Sequence, residues 1–125
     1  MPKTDAFVET FQTLRSILER NRGQMKVMVD TDTEFSVASP TMTDRTGRPL
    51  FAAAVQVKKS YVSYHLMPIY MDPALMPTVS AALRKRMQGK ACFNFKTIER
   101  SEAKELATLT KRALASFKNL KLPWA

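Results

Sequence analysis

The stretch LFAAAVQVKKSYVSYHLM, residues 50–67, decides the fold. LFAAAVQV (50–57) and YVSYHLM (61–67) are rich in the valine and aromatic residues that suit a pleated surface. Lys58-Lys59-Ser60 between them is short enough for a hairpin turn. Successive side chains on a strand point to opposite faces, so Val62, Tyr64 and Leu66 go one way and Tyr61, Ser63, His65 and Met67 the other. That alternation predicts an antiparallel sheet with one side partly solvated.

Upstream of the hairpin, MKVMVD (25–30) and EFSVAS (34–39) read as shorter strands, separated by Thr and Asp residues that suit a turn. From Pro40 to Pro49 the chain is rich in Thr, Asp and Arg and reads as a loop. Ahead of these strands, Phe7, Phe11, Leu14 and Leu18 recur at helical spacing in one narrow stripe, with Thr4 as N-cap and Asp5 and Glu9 in the early turns. Gly23 ends this helix.

Downstream, Asp72-Pro73 opens a second helix with Leu75, Val79, Ala82 and Leu83 as its apolar face. Pro77 falls within its first turns, and Gly89 is placed after its last. Arg84-Lys85-Arg86 fan around its final turns, where positive charge complements exposed carbonyls. ACFNFK (91–96) is a strand with Phe93 and Phe95 on one face and Cys92 and Asn94 on the other. Ser101 caps a closing helix whose buried stripe is Leu106, Leu109, Ala113 and Phe117, with Lys104, Lys111 and Lys118 opposite. The order helix, strands, helix, strand, helix predicts an α+β fold: one domain over 1–125, an antiparallel sheet with helices packed on one face.

Composition bounds the class. A chain of 125 residues, 45% hydrophobic and 25% charged, is a globular domain long enough to bury its own core. The single cysteine, Cys92, permits no internal disulfide, and the N-terminus lacks the apolar region of a signal peptide. No uncharged stretch is long enough to span a bilayer. A cytoplasmic protein without membrane insertion is the expectation. The net charge of +9 is one-sided: residues 1–57 carry seven basic and seven acidic residues, residues 58–125 thirteen and four. Dispersed charge of this kind supports weak, salt-sensitive anion binding. Specific nucleic-acid binding is not expected, because no helix-turn-helix, zinc-finger or aromatic RNA-binding signature is present.

Two stretches, VKKSYVSYHLMP (57–68) and GKACFNFKTIERSEAKELATLTKRAL (89–114), resemble the YdhG-like domain family, a bacterial group of unknown function. The first is similar to the family's lysine-pair strand, the second to its Gly-Lys, short phenylalanine strand and amphipathic closing helix. The resemblance implies a compact α+β fold similar in layout to frataxin, and one member has been regarded as an intracellular iron chaperone. It thereby makes iron the one cofactor to consider; the residues themselves call for none. The first helix here departs from a carboxylate-rich iron surface, since Asp5, Glu9 and Glu19 are offset by Arg15, Arg20 and Arg22.

Three sets of residues are candidates for function. Asp30, Asp32 and Glu34 are hard oxygen ligands suited to Mg²⁺, Ca²⁺ or iron, and in an extended chain would project to one side about 7 Å apart. An acidic turn between strands accounts for the same residues. Tyr61, Tyr64, His65, Met67, Met71 and Cys92 outline a ligand pocket with a Met/aromatic wall; deformable core is the ordinary alternative. His65 and Cys92 also allow a nucleophile–base pair, although no glycine turn or helix start beside Cys92 offers an oxyanion stabiliser. The sequence therefore reads as a non-catalytic binding or interaction domain for an anionic or small apolar ligand. An iron chaperone and a Cys–His hydrolase are the alternatives, and the natural partner is left open.

Overall fold

The computed structural model describes residues 5–89 and 91–117. The Thr4 cap, Lys90 and Lys118 lie outside the described residues. Helix α1 (Asp5–Asn21) leads into strands β1 (Lys26–Asp30), β2 (Glu34–Thr43), β3 (Pro49–Val57) and β4 (Val62–Leu66). Short helices α2 (Met67–Met71) and α3 (Ala81–Arg84) flank a 3₁₀ turn at Pro73–Thr78, and β5 (Cys92–Phe95) precedes α4 (Arg100–Phe117). The five strands run β1-β2-β3-β4-β5, each antiparallel to its neighbours. The expected α+β architecture is thus the observed one.

Cross-strand register fixes two different faces. Asp30, Phe35, Val55, Tyr64 and Phe93 form one row across all five strands. Shifted by one residue, Val29, Ser36, Ala54, His65 and Cys92 form the next, on the opposite face. The first face carries the core: Phe35, Val55, Tyr64 and Phe93 are buried with Leu14 and Leu18 of α1 and Leu106, Leu109 and Phe117 of α4. Burial of these groups is the main stabilising term. The Tyr64 hydroxyl meets Thr110 Oγ1 at 2.6 Å, which spares both a dry, unpaired polar atom.

Several boundaries differ from expectation. β2 runs past Pro40 to Thr43, which pairs with Pro49, so the loop shrinks to 44–48. Asp44 organises that loop by accepting from the Thr46 and Arg48 N–H groups. The single helix expected after Asp72 is two pieces. Pro77 sits inside the first piece and lacks the N–H an α-helix would use there, so a 3₁₀ turn forms first and Val79 is extended. Ser80 then caps α3 by accepting from the Leu83 N–H at 3.2 Å. Leu75, Val79 and Leu83 are buried as expected, but Ala82 is exposed. Gly89, at φ +82°, belongs to the turn before β5 rather than to a helix end. Met67 begins α2 instead of ending β4, because Pro68 favours a helix start.

The closing helix starts at Arg100, and its cap is Glu99 and not Ser101: Glu102 Oε1 accepts from the Glu99 N–H at 3.0 Å. Two of the three residues in the basic triplet, Arg84 and Arg86, are structural. Arg84 donates to the Val79 and Met76 carbonyls at 3.0 and 2.9 Å, satisfying groups stranded by the broken helix. Arg86 holds Glu102 through two bonds of 2.8 and 3.2 Å and lies over the Phe95 ring. The backbone at Arg86 and Gln88 bonds the outer side of β5, so that strand is no bare edge.

Candidate functional site

The hairpin end of the sheet meets the first half of α1. On α1, Phe7, Phe11 and Leu14 face the sheet, while Val8, Gln12 and Arg15 follow one another along the adjoining flank. The β1–β2 turn stops short of this flank. It is a tight structure: Thr31 Oγ1 accepts from the Glu34 N–H at 3.0 Å, and the Thr31 N–H reaches the Glu34 carbonyl at 2.8 Å. Between turn and helix lies an open cleft of about 800 Å³, a size suited to a small molecule. Phe7, Val8, Phe11 and Val57 supply its apolar surface; Gln12, Thr31 and Thr33 supply polar groups. Val8 remains 45% exposed there, a large apolar side chain that the fold leaves in water.

Arg15 closes one end. Its guanidinium lies 4.6 Å from the centre of the Phe35 ring and donates to Asp30 at 2.8 Å and Glu19 at 3.0 Å. Both carboxylates hold it charged, each taking one N–H from a different terminal nitrogen.

The three candidate carboxylates do not share a side. Residues 31–33 form a turn rather than an extended strand, so Asp30 stands in the row of the core face and binds Arg15. Glu34 stands in the next row on the opposite face, accepting from Gln56 Nε2 at 3.2 Å. Asp32 sits at the tip and lines the cleft. Among the described residues, no three His, Cys, Asp or Glu side chains converge to hold a metal ion.

The proposed Met/Tyr pocket divides between the two faces. Tyr64 is wholly buried in the core; Met71, Met76 and Met87 pack against that core, which is the gap-filling role methionine suits. Tyr61 lies just before β4 and closes the hairpin, its carbonyl accepting from the Lys58 N–H at 2.8 Å. Met67 starts α2. Only His65 and Cys92 come together.

They are direct cross-strand neighbours on the open face, with Cys92 Sγ 3.9 Å from His65 Nε2. Ser63 Oγ is closer to that nitrogen, at 3.0 Å, and also reaches the Gln56 carbonyl at 3.4 Å. Cys92 Sγ lies 3.8 Å from Asn94 Oδ1, and Asn94 Nδ2 donates to Gln88 Oε1 at 2.8 Å. With Nε2–H donating to Ser63 and the thiol donating to Asn94, the His65 Nε2–H, the Ser63 hydroxyl and the Cys92 thiol each have an acceptor. Burial pushes the His65 imidazole below its ordinary value, and the Lys58 charge pushes it further, against a smaller opposing pull from Glu34. Burial pushes the Cys92 thiol up, with Lys58 opposing. The pair is therefore a neutral imidazole beside a neutral thiol at pH 7, the reverse of an activated nucleophile.

Val8 and Val57 were missed as site residues in the sequence. The available signal was Val8 itself, an apolar residue about 100° off the helix stripe of Phe7 and Phe11. Among the described residues, no helix is long and apolar enough to cross a membrane. Comparison of the chain with protein-family models, curated proteins and solved structures finds no match in any of the three.

Proposed function

We propose that this chain is a non-catalytic binding domain whose ligand is a small, largely apolar molecule seated between α1 and the β1–β2 turn. The observation that carries the reading is Val8, left 45% exposed at a cleft it shares with Phe7, Phe11 and Val57. Covering such a surface releases water at about 25 cal/mol per Å² of apolar area, which favours any ligand of matching shape. The reading includes an intracellular bacterial setting of the YdhG-like type, which rests on the resemblance of 57–68 and 89–114 and on the lone reduced Cys92.

Ligand-detected and protein-detected NMR with a panel of small apolar compounds tests it. Shifts concentrated on Val8 and Val57, abolished by Val8→Glu, are the expected result. A panel that moves neither residue at millimolar concentration overturns the reading. Iron handling by Asp30, Asp32 and Glu34 has less support, since the first and last stand in rows on opposite faces. A second reading, thiol hydrolysis at Cys92 with His65 as base, draws on their 3.9 Å separation. It requires a thiolate at neutral pH, against the direction in which burial shifts both groups.

A further inference from the structure

From the charges around the cleft we infer that its ligand is an amphipathic cation: an apolar body with an ammonium head group held at Asp32. The inference rests on the binding reading above and adds the sign of the ligand's charge, which the chain's overall +9 would place the other way.

The net charge of the chain does not describe the lining of the cleft. All of the excess lies in residues 58–125, whereas every charged residue lining the cleft, among the described residues, belongs to the balanced first part of the chain. Those lining charges are one cation, Arg15, and two carboxylates, Asp30 and Asp32. Interactions between exposed charges are screened over about 8 Å at physiological salt, so the lining charges weigh most on a bound ligand, with Lys58, next after Val57, opposing them.

Arg15 offers an anion little, because two acids already pair with its charge. Its two terminal nitrogens are bonded to Asp30 and Glu19, and its flat side rests on Phe35. A carboxylate or phosphate ligand reaching its remaining N–H groups would sit beside both of these acids. Asp32 is in the opposite position. Among the described residues its carboxylate takes part in no ion pair, and the turn that carries it is built from Thr31 and backbone groups instead. It is a carboxylate at the mouth of an apolar cleft, the arrangement an ammonium complements.

Three probes with one apolar body separate the possibilities: 4-phenylbutylammonium, 4-phenylbutanol and 4-phenylbutyrate, each titrated against the full chain with the Val8 and Val57 signals as readout. The ammonium compound should bind about three- to fivefold more tightly than the alcohol, the range an exposed ion pair supports, and the carboxylate more weakly than either. Asp32→Asn should bring the ammonium to the alcohol's affinity, and 0.5 M salt should do much the same. Because the Asp32 side chain is no part of the turn, this variant should keep the wild-type spectrum. Equal affinities for the three probes, or tightest binding of the carboxylate, overturn the charge inference while the cleft reading stands. A cation preference that survives Asp32→Asn removes Asp32 from the role. Failure of all three probes to move Val8 and Val57 overturns the inference together with the reading it rests on.

Discussion

Two neighbouring rows of one sheet, a single residue apart in register, are built on opposite plans. Asp30, Phe35, Val55, Tyr64 and Phe93 place three wholly buried aromatic rings under the helices. Val29, Ser36, Ala54, His65 and Cys92 place only small or polar side chains on the other side. On the core face Phe35, Val55, Tyr64 and Phe93 are held by close packing, and the Tyr64 hydroxyl is matched by Thr110. On the open face the side chains are held by a chain of hydrogen bonds that water could replace. The same backbone therefore places its large buried rings on one side and, on the other, small and polar side chains of which Ser36, Ala54 and Ser63 are themselves buried.

Adjacent residues on β5 put this contrast at its strongest. Phe93→Ala should cost about 3–5 kcal/mol, because it removes a buried ring and leaves a cavity in a close-packed interior. Cys92→Ala, one residue away, should cost about 1 kcal/mol or less. Urea unfolding of the two variants measures both, with an unchanged slope as the check on two-state behaviour. Similar losses at the two positions would break the distinction between the faces.

The Arg86–Glu102 pair sharpens it at the margin of the core. Glu102 is buried, whereas the Arg86 side chain is 32% exposed, so the pair is partly screened by solvent. Burial tends to raise the Glu102 carboxyl, but the Arg86 guanidinium and the Glu99 N–H outweigh it and hold the group below the usual carboxylate range. A carboxyl depressed on folding stabilises fully above its unfolded value of about 4.3, and that stabilisation fades as pH falls through the folded value. Glu102→Gln should thus cost about 1–2 kcal/mol at pH 7, and its deficit relative to wild type should shrink between pH 5 and pH 3. Urea midpoints across that range supply the measurement; a deficit independent of pH would mean that the bonds to Arg86 and Glu99 carry no net stabilisation.

Legibility in the sequence followed the same division. The core face was readable because Val62, Tyr64 and Leu66 alternate with polar residues, and Phe93 and Phe95 do so again. The helix stripes were readable for the equivalent reason at period 3.6. Local backbone competition was less so: Pro77 split one helix into a 3₁₀ turn and α3, and Glu99 with Glu102 outcompeted Ser101 as the cap. Neither outcome changes the hydrophobic pattern, so pattern reading cannot see it. The cleft was the least legible feature. It depends on how far the β1–β2 turn stops from α1, a tertiary distance, and its one local trace was Val8 lying off the stripe. For Asp30 and Glu34, the decisive fact was a tight turn that reversed the assumed common direction of the carboxylates.

The smallest effect concerns His65 and Cys92, where proximity and activation part company. A thiol 3.9 Å from an imidazole nitrogen has the reach for proton transfer, yet reactivity follows the thiolate fraction. Burial raises the Cys92 thiol and lowers the His65 imidazole, so each favours its uncharged form at pH 7. Transferring the proton would create an ion pair on a face where Ser63 and Asn94 already satisfy the neutral groups. Iodoacetamide should accordingly label Cys92 more slowly than free N-acetylcysteine at pH 7, with the rate still climbing above pH 8.5. Cys92→Ser should change unfolding stability by no more than about 0.5 kcal/mol, the usual range for a substitution outside the core. Labelling faster than the free thiol, with a plateau reached near pH 7, would mean that His65 does draw the proton away, and the open face would then hold a reactive centre rather than a neutral hydrogen-bonded one.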